Sequence, residues 1–244
     1  MVRHTWDLTP ADAIALQREL AGRVREEPLT GPVRTVAGAD CAYLGAGPPW
    51  ICPTDRQVVA AVVLLDADTM TPLAAATVVR PCAFPYVPGL LSFREAPAVI
   101  AAVEQLPRRP DLLVCDGQGR AHPRGIGLAS HVGLWLDLPT IGAAKSRLCG
   151  RHREPGARRA CRTQLRLEEP DAASLGRAGA ARSRVIGAVV RTRTGVKPLY
   201  VSVGHRVTLD DAVRWTLRCT RGVRLPEPTR QAHRLVTAER RRRS

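Results

Sequence analysis

A four-residue apolar run, Leu112-Leu113-Val114-Cys115, that stops abruptly at Asp116-Gly117-Gln118-Gly119 limits this chain more than any other stretch. Apolar residues without polar alternation read as a strand buried on both faces, which needs sheet neighbours beside it and helices above and below. A carboxylate at the carboxyl end of such a strand, followed by a loop, occupies the place where open α/β sheets put their ligands. The glycines let a ligand approach the main chain closely. An Asp-Gly pair alone also starts ordinary turns, so the rest of the chain has to decide.

Around this strand the pattern gives the order βββαβαβ with mixed pairing, an α/β sheet. Thr9 and Pro10 read as the cap and first position of a helix over Ala11 to Glu26, ended by Pro28 to Pro32. Val33 to Tyr43, Val58 to Leu65 and Leu73 to Arg80 read as three successive strands, an antiparallel meander. A Gly/Pro-rich turn over Gly45 to Pro53 and a hairpin turn over Asp66 to Thr71 join them. After Ser92-Phe93-Arg94-Glu95 a helix runs to about Leu106, then come the central strand, a helix over Gly127 to Leu136 and a short strand over Pro139 to Gly142. The Arg-rich segment Gly150 to Gly179 is left without assignment. Val185 to Arg191 and Leu199 to Val203 read as a second hairpin, and Leu209 to Cys219 as a helix. The arginines at 240–243 read as the end of a mobile basic tail from about residue 236. With no internal repeat and no sharp boundary, the expectation is one domain over 1–244.

The net charge of +15 favours a polyanionic partner such as nucleic acid. Nearly all of that charge is arginine; Lys145 and Lys197 are the only lysines, which draws attention to Lys145. The seven cysteines form no C-x-x-C pair, which argues against a zinc site or disulfide scaffold and for a reducing compartment. No apolar run approaches a membrane span, and the amino terminus has no hydrophobic signal core, so a cytoplasmic protein is expected.

Three acids stand out by position: Asp40 inside a strand, Glu95 opening a helix and Asp116 closing the central strand. Buried carboxylates are costly unless paired or bound to metal. Converging carboxylates repel one another, and magnesium, which takes oxygen ligands, would relieve that repulsion. Taken singly, each acid also suits a turn or a helix first turn. Lys145, after the strand at Thr140, could place positive charge on a phosphate. His205 and His122 could ligate or move a proton, or be structural. Tyr86, between Pro85 and Pro88 and beside Val87, is shaped to wedge between bases, or packs at a strand end.

Together these residues carry a family resemblance. The block Phe84-Pro85-Tyr86-Val87-Pro88-Gly89-Leu90-Leu91-Ser92-Phe93-Arg94-Glu95, then Asp116-Gly117-Gln118-Gly119 with Ala121-His122-Pro123, then Lys145-Ser146-Arg147-Leu148, resembles endonuclease V. The likeness runs in order from Val36 to Arg230. It implies an RNase H-like fold, an antiparallel meander continued by parallel strands and flanked by helices. It also implies cleavage of the second phosphodiester 3′ to deoxyinosine, leaving 3′-hydroxyl and 5′-phosphate ends, with Mg2+ as cofactor and Mn2+ as its substitute.

By the same resemblance Asp40, Glu95 and Asp116 would hold metal, with Lys145 and His205 assisting. Pro85, Tyr86, Val87 and Pro88 would separate strands. Leu91, Gly117, His122 and Leu128 would line the lesion pocket. The family usually has proline where this chain has Val203, which bears on His205. The expected partner is inosine-containing DNA, no membrane, and the enzyme is expected to act as a monomer. An endoribonuclease for inosine in RNA keeps the same fold, and a lesion-binding protein that does not cut is the reading from another class. The Gly45 to Arg56 loop and the Gly150 to Gly179 segment are where members of the family are expected to differ most.

Overall fold

The computed structural model describes residues 2–45, 56–168 and 183–243. Helix α1 (Pro10–Ala21) starts where Pro10 fixes the first position and the Thr9 hydroxyl accepts the Asp12 N–H at 3.2 Å. Strands β1 (Thr35–Leu44), β2 (Gln57–Asp66) and β3 (Pro72–Pro81) form the expected meander. Helix α2 (Leu91–Glu104), strand β4 (Leu112–Cys115), helix α3 (Leu128–Leu136) and strand β5 (Thr140–Ala144) follow. Strands β6 (Arg162–Glu168), β7 (Ser183–Val190) and β8 (Leu199–His205) precede helices α4 (Leu209–Arg218) and α5 (Glu227–Arg243). No helix among the described residues is long and apolar enough to cross a membrane.

All the strands join one sheet in the order β3-β2-β1-β4-β5-β8-β7-β6. The β1–β4 and β4–β5 pairs are parallel and the others antiparallel, the mixed RNase H-like arrangement. Alternation in β4 divides its side chains between the two faces. Leu113 and Cys115 pack with Val99, Val103, Val132 and Leu136 of α2 and α3. Leu112 and Val114 pack with Val213, Trp215 and Ala232 of α4 and α5. A run with no polar side is therefore what this central position demands.

Two segments differ from the sequence expectation. Strand β6 lies within the unassigned Arg-rich stretch. Leu165 is buried, with Thr163 and Leu167 half-buried, while Arg162, Gln164, Arg166 and Glu168 face outward. The period is present, but charge on the outer face of an edge strand, which guards against unwanted pairing, masks it. The basic tail is not a loose end: residues 227–243 form α5, and Val236 is buried with Leu44, Val59 and Ala61. Gly38 of β1 makes this docking possible, because a Cβ there would stand 2.0 Å from the Pro228 carbonyl carbon. The Gly/Pro-rich turn beyond Gly45 and the Arg-rich segment from 169 to 182 lie outside the described residues.

Candidate active site

The carboxylates of Asp40 and Asp116 start from neighbouring strands. Ala39 pairs with Cys115 across the parallel β1–β4 ladder, and the Asp116 N–H donates to the Ala39 carbonyl at 3.0 Å. The loop after Asp116 lies tightly against the sheet. A Cβ on Gly119 would sit 2.0 Å from the Val203 carbonyl oxygen, and one on Gly142 would sit 2.4 Å from the Gly119 nitrogen. No side chain fits at either contact, so the glycines that marked this stretch hold Asp116 at the sheet's end. Glu95 lies one turn into α2, not at its opening as the sequence suggested, and is buried there.

Two of the carboxyls sense acidic neighbours. Burial is the main cause that raises the Glu95 carboxyl to about 7, with Asp40 and Asp116 adding repulsion and the Tyr43 hydroxyl opposing it. Asp40 is also raised, first by burial and then by Asp116, while His233 and Lys145 pull it down. The side chains are steadied individually. Tyr43 donates to Glu95 Oε1 at 2.9 Å and accepts from Arg94 Nε at 3.3 Å. Lys145 Nζ pairs with Asp116 Oδ2. His233 Nδ1 lies 2.7 Å from Asp40 Oδ2.

Three hard oxygen donors that repel one another in a part-buried cleft are a set that could hold a divalent cation. In the conformation seen, each is turned toward its own partner. Among the described residues no three His, Cys, Asp or Glu side chains are gathered tightly around one point.

His205 does not join this cluster. It is buried opposite Thr140, at the start of β5, whereas Lys145 follows the end of that strand. Four strand steps at ~3.3 Å put the two ends about 13 Å apart. Its ring is committed there: Nδ1 accepts the Arg25 N–H at 3.2 Å, and Nε2 stands 3.4 Å from Asp137 Oδ1. The histidine that does reach a carboxylate, His233, lies between the family likeness that ends at Arg230 and the tail read from about 236, a stretch with no site reading from sequence. Its place three residues before the apolar Val236, a helical spacing, was the available signal. Tyr43 and Arg94 were also missed, although Arg94 stands beside Glu95 in the recognised block. Val203 pairs with Ile141 inside the ladder, where the missing proline affects β8 and not the cleft.

Beside the carboxylates is a cavity of about 410 Å³ lined by Leu91, Gly117, His122 and Leu128, with Tyr86, Val87 and Pro88 at its mouth. Leu128 forms a wall so close to Gly117 that a Cβ there would meet it at 3.2 Å. His122 Nε2 is 3.0 Å from the Gly89 carbonyl and Nδ1 accepts the Arg124 N–H at 3.1 Å. Burial, then Arg124, lowers this ring to about 4, so it is neutral and its two nitrogens brace the cavity wall. Tyr86 is 46% exposed with Arg94 at 5.8 Å from its ring centre, and Pro85 lies outside the cavity on the exposed surface. A second, wider basin of about 890 Å³ holds Asp40, Tyr43 and His233. Lys145 lines both. The two thus share one cation, with Asp116 lining the first and Asp40 the second.

The protein-family profile described as Endonuclease V matches residues 18–234. An Endonuclease V of Geotalea uraniireducens is 48% identical over 220 residues, 90% of this chain and 84% of that one. The crystal structure of an Endonuclease V from Streptomyces avermitilis superposes with a TM-score of 0.82 at 43% identity, covering 99% of this chain and 97% of that one. An Endonuclease V of Ciona intestinalis, solved with DNA containing an inosine followed by a ribo-adenosine, shares the fold with a TM-score of 0.75 at 24% identity, over 97% of this chain and all (100%) of that one.

Proposed function

This chain belongs to the endonuclease V family and is a nuclease acting on phosphodiester bonds; from that premise we propose that it nicks DNA at the second phosphodiester 3′ to deoxyinosine. The observation that carries the reading is that Lys145 lines both the base-sized cavity that Asp116 also lines and the basin that holds Asp40. A nucleotide turned into the cavity would leave its strand running across the basin. Hypoxanthine is planar and largely apolar on its faces, which suits the walls of Leu91, Gly117 and Leu128. Tyr86 would fill the gap left in the stack, supported by Pro85, Val87 and Pro88.

The acids Asp40, Glu95 and Asp116 would hold the metal, magnesium by the all-oxygen donor set with manganese as its substitute. When bound, that ion neutralises phosphate charge and lowers the pKa of water. Lys145 places a further positive charge at the developing phosphate charge. His233 orients Asp40, and Tyr43 with Arg94 orients Glu95. A bound cation would offset the burial and repulsion that raise the Glu95 carboxyl, holding it as the carboxylate that ligation needs. The products would carry 3′-hydroxyl and 5′-phosphate ends. We take the enzyme to act as a monomer on DNA in the cytoplasm.

The test is cleavage of a single-inosine duplex with magnesium, with product ends mapped and a matched RNA run beside it. Nicking at the second phosphodiester is expected. Cutting that ignores inosine, or no cutting with magnesium or manganese, would overturn the reading.

A further inference from the structure

Helix α5 carries more than His233 to the basin. His233, Val236, Thr237, Arg240 and Arg241 recur at helical spacing and form one stripe. All of them line the basin that contains Asp40 and Lys145. Val236, only 1% exposed, fixes the rotation of the helix on β1 and β2, so the stripe cannot turn away. The two arginines that follow, Arg242 and Arg243, do not line the basin and reach Glu239 at 2.9 and 3.1 Å. A helix carboxyl end attracts cations in general, but that attraction does not distinguish the basin-facing pair from the Glu239-held pair. The stripe does.

From His233 to Arg240 and Arg241 the helix advances about 10.5 to 12 Å at 1.5 Å per residue. A strand rising ~3.4 Å per nucleotide covers that distance in about three nucleotides. We propose that Arg240 and Arg241 are positioning residues that hold backbone phosphates of the cleaved strand about three nucleotides from the scissile bond. This rests on the basin being the phosphate site proposed above. The carboxyl-terminal helix then serves both ends of one task, with His233 at the cutting position and the arginines gripping the strand beyond it.

The test compares the parent, Arg240→Gln/Arg241→Gln, Arg242→Gln/Arg243→Gln and Arg240→Lys/Arg241→Lys on one inosine-containing duplex. Binding is measured over a salt series, and nicking under single-turnover saturation. For the basin-facing Gln pair the slope of log affinity against log salt should become shallower by about 1.8, at ~0.9 per phosphate contact. KM should rise while the saturated rate stays within about twofold. The Lys pair should restore the slope, and the Glu239-held pair should match the parent. An unchanged slope in the basin-facing Gln pair, or an equal change in both Gln pairs, would overturn the proposal. Absence of inosine-directed nicking by the parent would instead overturn the functional reading, so the two failures are distinct.

Discussion

His233 Nδ1 lies 2.7 Å from Asp40 Oδ2, although the two residues are 193 positions apart in the chain. The contact ties β1 to α5 beside the candidate site. It also identifies which histidine belongs to the site. His233→Ala should lower the single-turnover nicking rate by about 10- to 100-fold, the range of one positioned acid–base or orienting group. His205→Ala should leave that rate within a few-fold of the parent while lowering the melting temperature, because it opens a buried site. Equal rate losses for both would contradict this division.

Removal of a carboxylate should be harsher. Asp116→Ala or Asp40→Ala is expected to reduce the rate about a thousandfold, near 4 kcal/mol of transition-state stabilisation. Rapid-quench nicking with saturating magnesium measures this, and near-parental activity in either variant would remove that residue from the site.

Tyr86 is exposed at the cavity mouth, so its loss should not affect folding. Tyr86→Ala should weaken binding to inosine-containing duplex by about 1–3 kcal/mol, the scale of a base–aromatic stack. The melting temperature should not change. Unchanged affinity in a fluorescence titration would take the wedge role away.

Gly38→Ala adds one methyl group where the Pro228 main chain already stands, at 2.0 Å from the added carbon. Overpacking of this kind costs about 1–3 kcal/mol or more. Displacement of α5 would carry His233 from Asp40. The variant should therefore melt earlier and nick more slowly. A variant with both properties unchanged would show that α5 is not held as described.

The buried histidines make stability depend on pH. Burial, then Arg124, holds His122 near about 4; burial, then His4, holds His131 near about 3. In the unfolded chain both titrate near the ordinary 6.5. Between those values the unfolded state binds more protons. Their contribution is therefore complete above pH ~6.5 and declines as pH falls toward the folded values. His131, with Nδ1 3.0 Å from Ser92 Oγ and Nε2 2.8 Å from His4 Nε2, has no room for a second charge. Thermal melts from pH 7 to 4 should show this decline, and His131→Gln should flatten it.

Much of the site was legible from sequence because its physical demands are local. An apolar run that ends in a carboxylate and glycines specifies a central strand and its mouth. Proline on both sides of Tyr86 specifies a stiff exposed loop. His233 was less visible because nothing near it in sequence signals chemistry; only the docking of α5 through Gly38 and Val236 brings it to Asp40. His205 looked attractive for the opposite reason, since it also ends a strand, but β8 runs antiparallel to β5 and delivers it to the wrong end. Strand β6 was hidden by its arginines, which an edge position tolerates and a periodicity count penalises. Local pattern shows what an element is, while strand direction and helix docking decide where its end arrives.

The contact between Asp40 and His233 makes the site depend on an interlayer joint. Because Asp40 lies on β1 and His233 on α5, which docks through Val236, loosening that helix would disturb the carboxylate without parting any strands.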